Sequence, residues 1–217
     1  FIYPYFDHEY HTRLDWYSPP LGLGQLAGYL RSRGYRKADL RYAQFISPDR
    51  FFRKFKNAGF NEYIRRSMEE TEKLSPRMER LVKTILKKDY KIICFSIIYN
   101  EQLYLAAQLA KNIKRRKKDA VIIFGGSFLT KNYDEKEILS LHQFVDGLII
   151  GNGEEALERV IRAVSNNEKI SGMPNISWKT NRGFKKFEKS GRCRAFPDFH
   201  GLKIGRLPLT LSSGCFW

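Results

Sequence analysis

The sequence is poor in cysteine and has no long apolar run. Its three cysteines, Cys94, Cys193 and Cys215, are an odd number spread along 217 residues, which excludes a disulfide framework and favours reduced thiols. We expect Cys94, in the middle of an apolar run, to be an inert buried thiol. No stretch approaches the ~20 consecutive apolar residues of a membrane span, and no secretory leader is recognisable. We therefore expect a cytoplasmic protein with no membrane partner.

Two common phosphate-binding motifs are also missing. No G-x-G-x-x-G follows the first predicted strand, which argues against a dinucleotide fold, and no Gly-Lys-Ser or Gly-Lys-Thr is present, which excludes a P-loop. The chain opens at Phe1 without a methionine and closes on Trp217 without a polar tail. We therefore expect it to be a fragment of a longer protein.

Acidic residues are too few to balance the basic ones. There are 39 Lys and Arg against 23 Asp and Glu, a formal net charge of +16, which is compatible with binding to RNA or another polyanion. Nine basic residues against two acidic ones lie between Lys179 and Arg206. A second cluster, Lys111 with residues 114–118, ends a predicted helix, where cations suit the helix dipole. Because few aromatic residues accompany these charges, we do not expect nucleic acid as a partner.

Short apolar runs alternate with helical patterns over residues 1–168, which is typical of parallel βαβ units. We predict an α/β fold, Rossmann-like (flavodoxin-like), with an open parallel sheet of about five strands and flanking helices. Residues 48–88 read as a helical insertion, and residues 169–206 as a β-hairpin followed by a basic linker. The predicted strands cover residues 1–6, 38–42, 91–98, 120–124 and 145–150.

Four loops of this predicted fold could bind a ligand. Ligands of open parallel sheets bind beyond the carboxyl ends of the strands, and glycine there lets the backbone approach a ligand closely. Each loop alone is a weak signal, but their coincidence at one edge predicts a cradle for a flat ligand. The candidate residues are Pro20, Leu21 and Gly22; Ser96, Tyr99 and Asn100; Gly125, Gly126, Ser127, Phe128 and Thr130; and Gly151, Gly153 and Glu154.

The order and spacing of five segments resemble the N-terminal cobalamin-binding-type domain of radical S-adenosylmethionine (radical SAM) enzymes. These segments are SPPLGLGQLAGYLRSRGY, ICFSIIYN, IIFGGSFLT, VDGLIIGNGEE and PDFHGLKIGRLPLTLSSGC. The resemblance implies a cobalamin cofactor. Because D-x-H-x-x-G is absent, it also implies a cobalt without a histidine ligand (His-off). The residues expected near its lower face are Tyr99, Ser127, Phe128 and Thr130.

The resemblance further implies that residues 207–217 begin a radical SAM barrel. Cys215 matches the first cysteine of a C-x-x-x-C-x-x-C triplet that ligates a 4Fe–4S cluster, to which S-adenosylmethionine binds in the full-length protein. The implied activity is that of a cobalamin-dependent methyltransferase supplied by an electron donor. The ending SSGCFW favours a peptide substrate. The fragment alone should not be catalytic.

Two other functions stay open. In the first, the domain belongs to the same family but is a cofactor-free scaffold or lid for the barrel, with Tyr99 and Phe128 filling the cradle. In the second, the chain is a basic α/β module that binds RNA or another polyanion through residues 179–206.

Overall fold

The computed structural model describes residues 1–7, 21–39, 41–46, 74–98, 100–132, 138, 140–170 and 172–185. Within these ranges the strands are β1 (Ile2–Asp7), β2 (Arg41–Ile46), β3 (Ile92–Ser96), β4 (Val121–Gly125), β5 (Gly147–Ile149), β6 (Ile176–Thr180) and β7 (Gly183–Phe184). The helices are α1 (Leu21–Ser32), α2 (Pro76–Lys87), α3 (Asn100–Arg116), α4 (Ser127–Asn132) and α5 (Glu154–Asn166), with a 3₁₀-helix at Ser140–Gln143.

The strands form one sheet in the order β2-β1-β3-β4-β5-β6-β7. The first five strands are parallel, and β6 and β7 continue the sheet antiparallel to their neighbours. The order 2-1-3-4-5 of the parallel strands is the flavodoxin-like one. The predicted α/β fold with about five parallel strands is therefore confirmed, and the predicted hairpin around residues 181–183 extends the same sheet.

Alternation along the strands divides the core into two layers. Ile93 and Phe95 of β3 belong to the cluster that packs under α2 and α3. Ile92 and Cys94 contact the cluster on the other face, which is covered by α1 and α5. Because the central parallel strands are covered on both faces, their sequences are nearly continuous apolar runs.

Two local predictions differ from the structure. The strand predicted at residues 38–42 is β2 at Arg41–Ile46, because the turn that follows α1 and Gly34 runs on through residue 39. The loop predicted at residues 125–130 is the end of β4, a turn at Gly126 and then α4. Residues 48–73 of the predicted helical insertion lie outside the described residues, and the described part of the insertion contains α2.

A buried carboxylate fastens the amino edge of the sheet. The Asp146 side chain is 5% exposed and forms ion pairs with Lys114 of α3, at 2.6 Å between Nζ and Oδ2, and with Lys179 of β6. It also accepts a hydrogen bond of 2.8 Å from the backbone N–H of Ile122 in β4. Asp146 directly precedes β5, so its side chain joins α3, β4 and β6 to the start of this strand.

The basic end of α3 is largely used in packing. Arg116 donates two hydrogen bonds, of 2.7 and 2.9 Å, to the Glu79 carboxylate of α2, and Lys117 pairs with Asp89. With the Lys114 pair described above, three cations of this cluster have acidic partners. The cluster is therefore an anchor for α3 as well as a favourable helix terminus.

None of the helices in the described ranges is long and apolar enough to cross a membrane.

We predict that Asp146→Asn lowers the free energy of unfolding by about 3 kcal/mol, because it leaves two lysines without their shared buried carboxylate. Urea unfolding measures this. The matched control is Asp119→Asn, since the Asp119 side chain is 80% exposed and pairs with Lys117 at 4.0 Å; it should change stability by less than about 0.5 kcal/mol. Equal losses in the two variants would contradict the anchoring role of Asp146.

Candidate functional site

A cavity of about 420 Å³ opens at the carboxyl ends of β3, β4 and β5. It lies on the face of the sheet that α1 and α5 cover. Its walls are apolar side chains from both helices and the strands, and small polar residues with glycines form the strand-end part. The apolar side chains of the lining include Leu23, Leu26, Ile123, Ile149 and Leu157.

A second cavity, of about 490 Å³, lies toward the amino ends of the strands. Apolar side chains make most of its lining, among them Leu30 and Tyr90. It shares Phe1, Cys94 and Leu157 with the first cavity. None of the predicted strand-end loops contributes to it. The cavity at the carboxyl edge is therefore the candidate site, although it is the smaller of the two.

Gly126 brings the ends of β3 and β4 together. Its φ of +112° is in a region that favours glycine, and a Cβ there would lie 2.2 Å from the carbonyl oxygen of Ile97. The backbone N–H of Ile97 donates to the Gly125 carbonyl at 2.7 Å, and that of Phe128 donates to the Ile97 carbonyl at 3.2 Å. The chain can thus leave β4 and enter α4 without an intervening loop.

Thr130 joins two of the predicted loops. Its hydroxyl donates to the Gly126 carbonyl at 3.1 Å and accepts from the Gly151 N–H at 3.0 Å. Gly151 has a φ of +81° and lies two residues after the end of β5. The loops after β4 and β5 are therefore held together by one hydroxyl group.

Helices α1 and α5 contact each other, and both have their N-termini at the cavity. A Cβ on Gly153, the N-cap of α5, would lie 3.1 Å from the Leu26 side chain of α1, so this side chain packs directly against the start of α5. Further along, the Tyr29 hydroxyl donates to the Glu158 carboxylate at 2.6 Å, and Arg33 lies 3.8 Å from the same carboxylate. Both helices direct the positive ends of their dipoles toward the cavity.

Two charged side chains line the cavity within the described part of the chain, Glu154 and Lys131. Glu154 is buried in the first turn of α5, with 9% of its surface exposed. Desolvation raises the pKa of this carboxyl group above its usual value, against the lowering effect of backbone hydrogen bonds at residues 153 and 154. Lys131 is exposed near the end of α4.

The structure brings nine of the predicted binding residues to this cavity. They are Gly22, Ser96, Gly125, Gly126, Ser127, Thr130, Gly151, Gly153 and Glu154. Leu21 and Phe128 do not line it, and Phe128 packs against the core under α2 and α3 because it lies on the other side of α4. Asn100 is the first residue of α3. Pro20, Tyr99 and Cys215 lie outside the described residues.

Several lining residues are missing from the sequence-based set. Cys94 and Ile123 pair in register and lie two residues before Ser96 and Gly125. Because side chains two residues apart on a strand share a face, the period-2 alternation could have placed both residues in the lining. Burial raises the pKa of the Cys94 thiol to about 11, which agrees with an unreactive thiol at neutral pH. Lys131 was missed because α4 was predicted as a loop.

Within the described ranges, no group of three or more His, Cys, Asp or Glu residues could hold a metal ion. The described histidine, His142, contacts the ring of Phe184 edge-on at 6.5 Å and does not line the cavity. The described residues of the site therefore offer hydrogen-bonding and apolar contacts and no histidine ligand.

A family model described as the B12 binding domain matches residues 13–161. Among solved structures, the fold is similar to that of OxsB, a cobalamin-dependent S-adenosylmethionine radical enzyme with aqua-cobalamin and S-adenosylmethionine bound. The TM-score is 0.55 and the identity 14%, over 88% of this chain and 22% of that chain.

The fold is also similar to that of TsrM from Kitasatospora setae, a radical S-adenosylmethionine methyltransferase with tryptophan substrate and a S-adenosylmethionine analog bound. Here the TM-score is 0.52 and the identity 14%, over 84% of this chain and 29% of that chain. This chain therefore spans less than a third of either enzyme. No curated protein matches it.

We predict that Thr130→Val lowers the free energy of unfolding by about 1–2 kcal/mol, because the Gly126 carbonyl and the Gly151 N–H lose their shared partner. Thr130→Ser keeps the hydroxyl and should retain most of the stability. Urea unfolding of both variants measures the difference, and equal losses would show that the hydroxyl bridge contributes nothing.

The raised pKa of Glu154 predicts a pH dependence of stability. Because the folded state holds the proton more tightly than the unfolded state, this group contributes stability at low pH that is lost as the pH rises above about 4.5. Glu154→Gln should therefore gain stability relative to wild type between pH 4.5 and 7, as measured by urea unfolding at each pH. Glu168→Gln, at an exposed carboxylate beyond the end of α5, is the control, and an identical pH profile for the wild type and Glu154→Gln would contradict the prediction.

Proposed function

This chain belongs to the B12 binding domain family, and we propose that it is the cobalamin-binding region of a radical SAM enzyme. The observation that carries the proposal is the cavity at the carboxyl ends of three parallel strands, where nine residues of the predicted cradle converge. In flavodoxin-like folds, ligands bind at this edge of the sheet.

The residues present fit one part of a cobalamin. A cavity of about 420 Å³ is in the range of small-molecule pockets and takes a portion of this large cofactor, with the remainder outside. Leu26, Ile123 and Ile149 offer apolar contact to its ring edges and methyl groups. The hydroxyls of Ser96 and Ser127 can hydrogen bond to its amide side chains.

The chain's own residues would bind and orient the cofactor. Gly126 and Thr130 fix the positions of the loops after β4 and β5, and the Tyr29–Glu158 hydrogen bond fixes the N-termini of α1 and α5 around the cavity. Cobalamin, when bound, supplies a cobalt that can carry a methyl group. The absence of D-x-H-x-x-G from the sequence supports a His-off state.

We further propose that the full-length protein is a methyltransferase with a 4Fe–4S cluster, to which Cys215 contributes one thiolate and S-adenosylmethionine binds. An electron donor for the cluster, a peptide substrate and a cytoplasmic location belong to the same proposal. Its support is the fold similarity to OxsB and TsrM together with the sequence of residues 197–215. The substrate would be chosen by parts of the enzyme other than this chain.

The two other functions receive less support. A cofactor-free scaffold would fill the cradle with Tyr99 and Phe128. The Phe128 ring packs under α2 and α3, and Tyr99 lies outside the described residues. Binding of RNA was expected to use cations of residues 179–206, of which Lys179 is paired with the buried Asp146. The described part of the chain thus has an open cavity, and its lining favours a small molecule.

We predict that the full chain takes up hydroxocobalamin and shifts its visible absorption spectrum. Gly22→Trp should weaken this uptake by about tenfold or more, because Gly22 lines the cavity and a Cβ there meets no atom of the described residues within 4 Å. Gly22→Ala is the size control and should bind within about threefold of wild type. No uptake by the wild-type chain at high micromolar cobalamin would refute the proposed function.

A further inference from the structure

The rim of the cofactor cavity carries a cation that has no ion-pair partner among the described residues. Lys131 lines the cavity from α4 and is exposed. Within the described ranges it forms no ion pair, whereas Lys114, Lys117 and Lys179 each have a carboxylate partner. Its charge is therefore available to a ligand in the cavity.

The other charged side chain of the described lining does not pair with this cation. Glu154 is buried in the first turn of α5, whereas Lys131 is exposed on α4, and no ion pair joins them. The N-termini of α1 and α5 add partial positive charge from their dipoles. The exposed rim of the cavity therefore offers a cation to an anionic group of the ligand.

Cobalamin offers one such group. Its nucleotide tail is joined to the corrin ring through a phosphodiester, which is negatively charged at all physiological pH values, whereas the corrin side chains are neutral amides. An ammonium pairs with a phosphate as a point charge and tolerates variation in its geometry. A flexible lysine on the rim is suited to a phosphodiester at the surface of a partly enclosed cofactor.

We infer that Lys131 pairs with the phosphodiester of the nucleotide tail and thereby favours complete cobalamin over tail-less corrinoids. The inference rests on the proposed function, since it assigns the bound cofactor a contact in the same cavity. It makes Lys131 a specificity-determining residue. Because the pair would be exposed to solvent, we expect an effect of about three- to fivefold on affinity at low salt, and less at high salt.

The test compares three ligands on the full chain: hydroxocobalamin, cobinamide phosphate and cobinamide. Lys131→Gln should weaken the binding of the two phosphate-containing ligands by about three- to fivefold and leave cobinamide unchanged. Lys131→Arg should retain the preference. Lys169→Gln is the matched control for loss of one positive charge, since Lys169 is exposed and does not line the cavity.

The outcomes separate the two proposals. If Lys131→Gln binds all three ligands as the wild type does, or weakens all three equally, the phosphate contact is refuted while the cofactor site stands. If the wild-type chain binds none of the three ligands, the proposed function itself fails.

Discussion

The candidate site depends on the close approach of Gly126 to the backbone of Ile97. Any side chain at residue 126 would place its Cβ 2.2 Å from the Ile97 carbonyl oxygen, so the ends of β3 and β4 can meet in this way only with glycine. This contact lets α4 begin immediately after β4. Thr130, one turn into α4, then reaches Gly151 beyond β5. The three strand ends are thus coupled through backbone atoms and one hydroxyl.

The two edges of the sheet differ in their interactions and in their proposed roles. At the amino edge, the buried Asp146 carboxylate forms ion pairs with two lysines and accepts a hydrogen bond from a backbone N–H. These contacts hold α3, β4 and β6 in place. At the carboxyl edge, the described residues form few ion pairs, and glycines, hydroxyls and helix N-termini surround open space. The stabilising ion pairs therefore lie at the amino edge, and the carboxyl edge is left free for ligand binding. The net charge of +16 is accordingly in part structural, because several cations serve as anchors.

The sheet and most of the cradle could be predicted from the sequence because both follow local patterns. β3 and β4 are continuous apolar runs, and parallel strands bring their terminal loops to one edge. The short helix α4 could not be predicted, since its six residues have no apolar period and its start depends on the conformation of Gly126. Helical spacing places Ser127, Thr130 and Lys131 on one side and Phe128 on another, which explains why Phe128 was included and Lys131 was missed. The Asp146 cluster joins segments distant in sequence and leaves no local signal.

The most direct test of a cobalamin site at the carboxyl edge is amide hydrogen exchange of the full chain with and without hydroxocobalamin. We expect cobalamin to slow exchange in the segments 125–131 and 151–157, which surround the cavity. Exchange near Asp146 and along the end of α3 should stay unchanged. Protection confined to the amino edge, where the second cavity lies, or an unchanged pattern throughout at saturating cobalamin, would contradict this account.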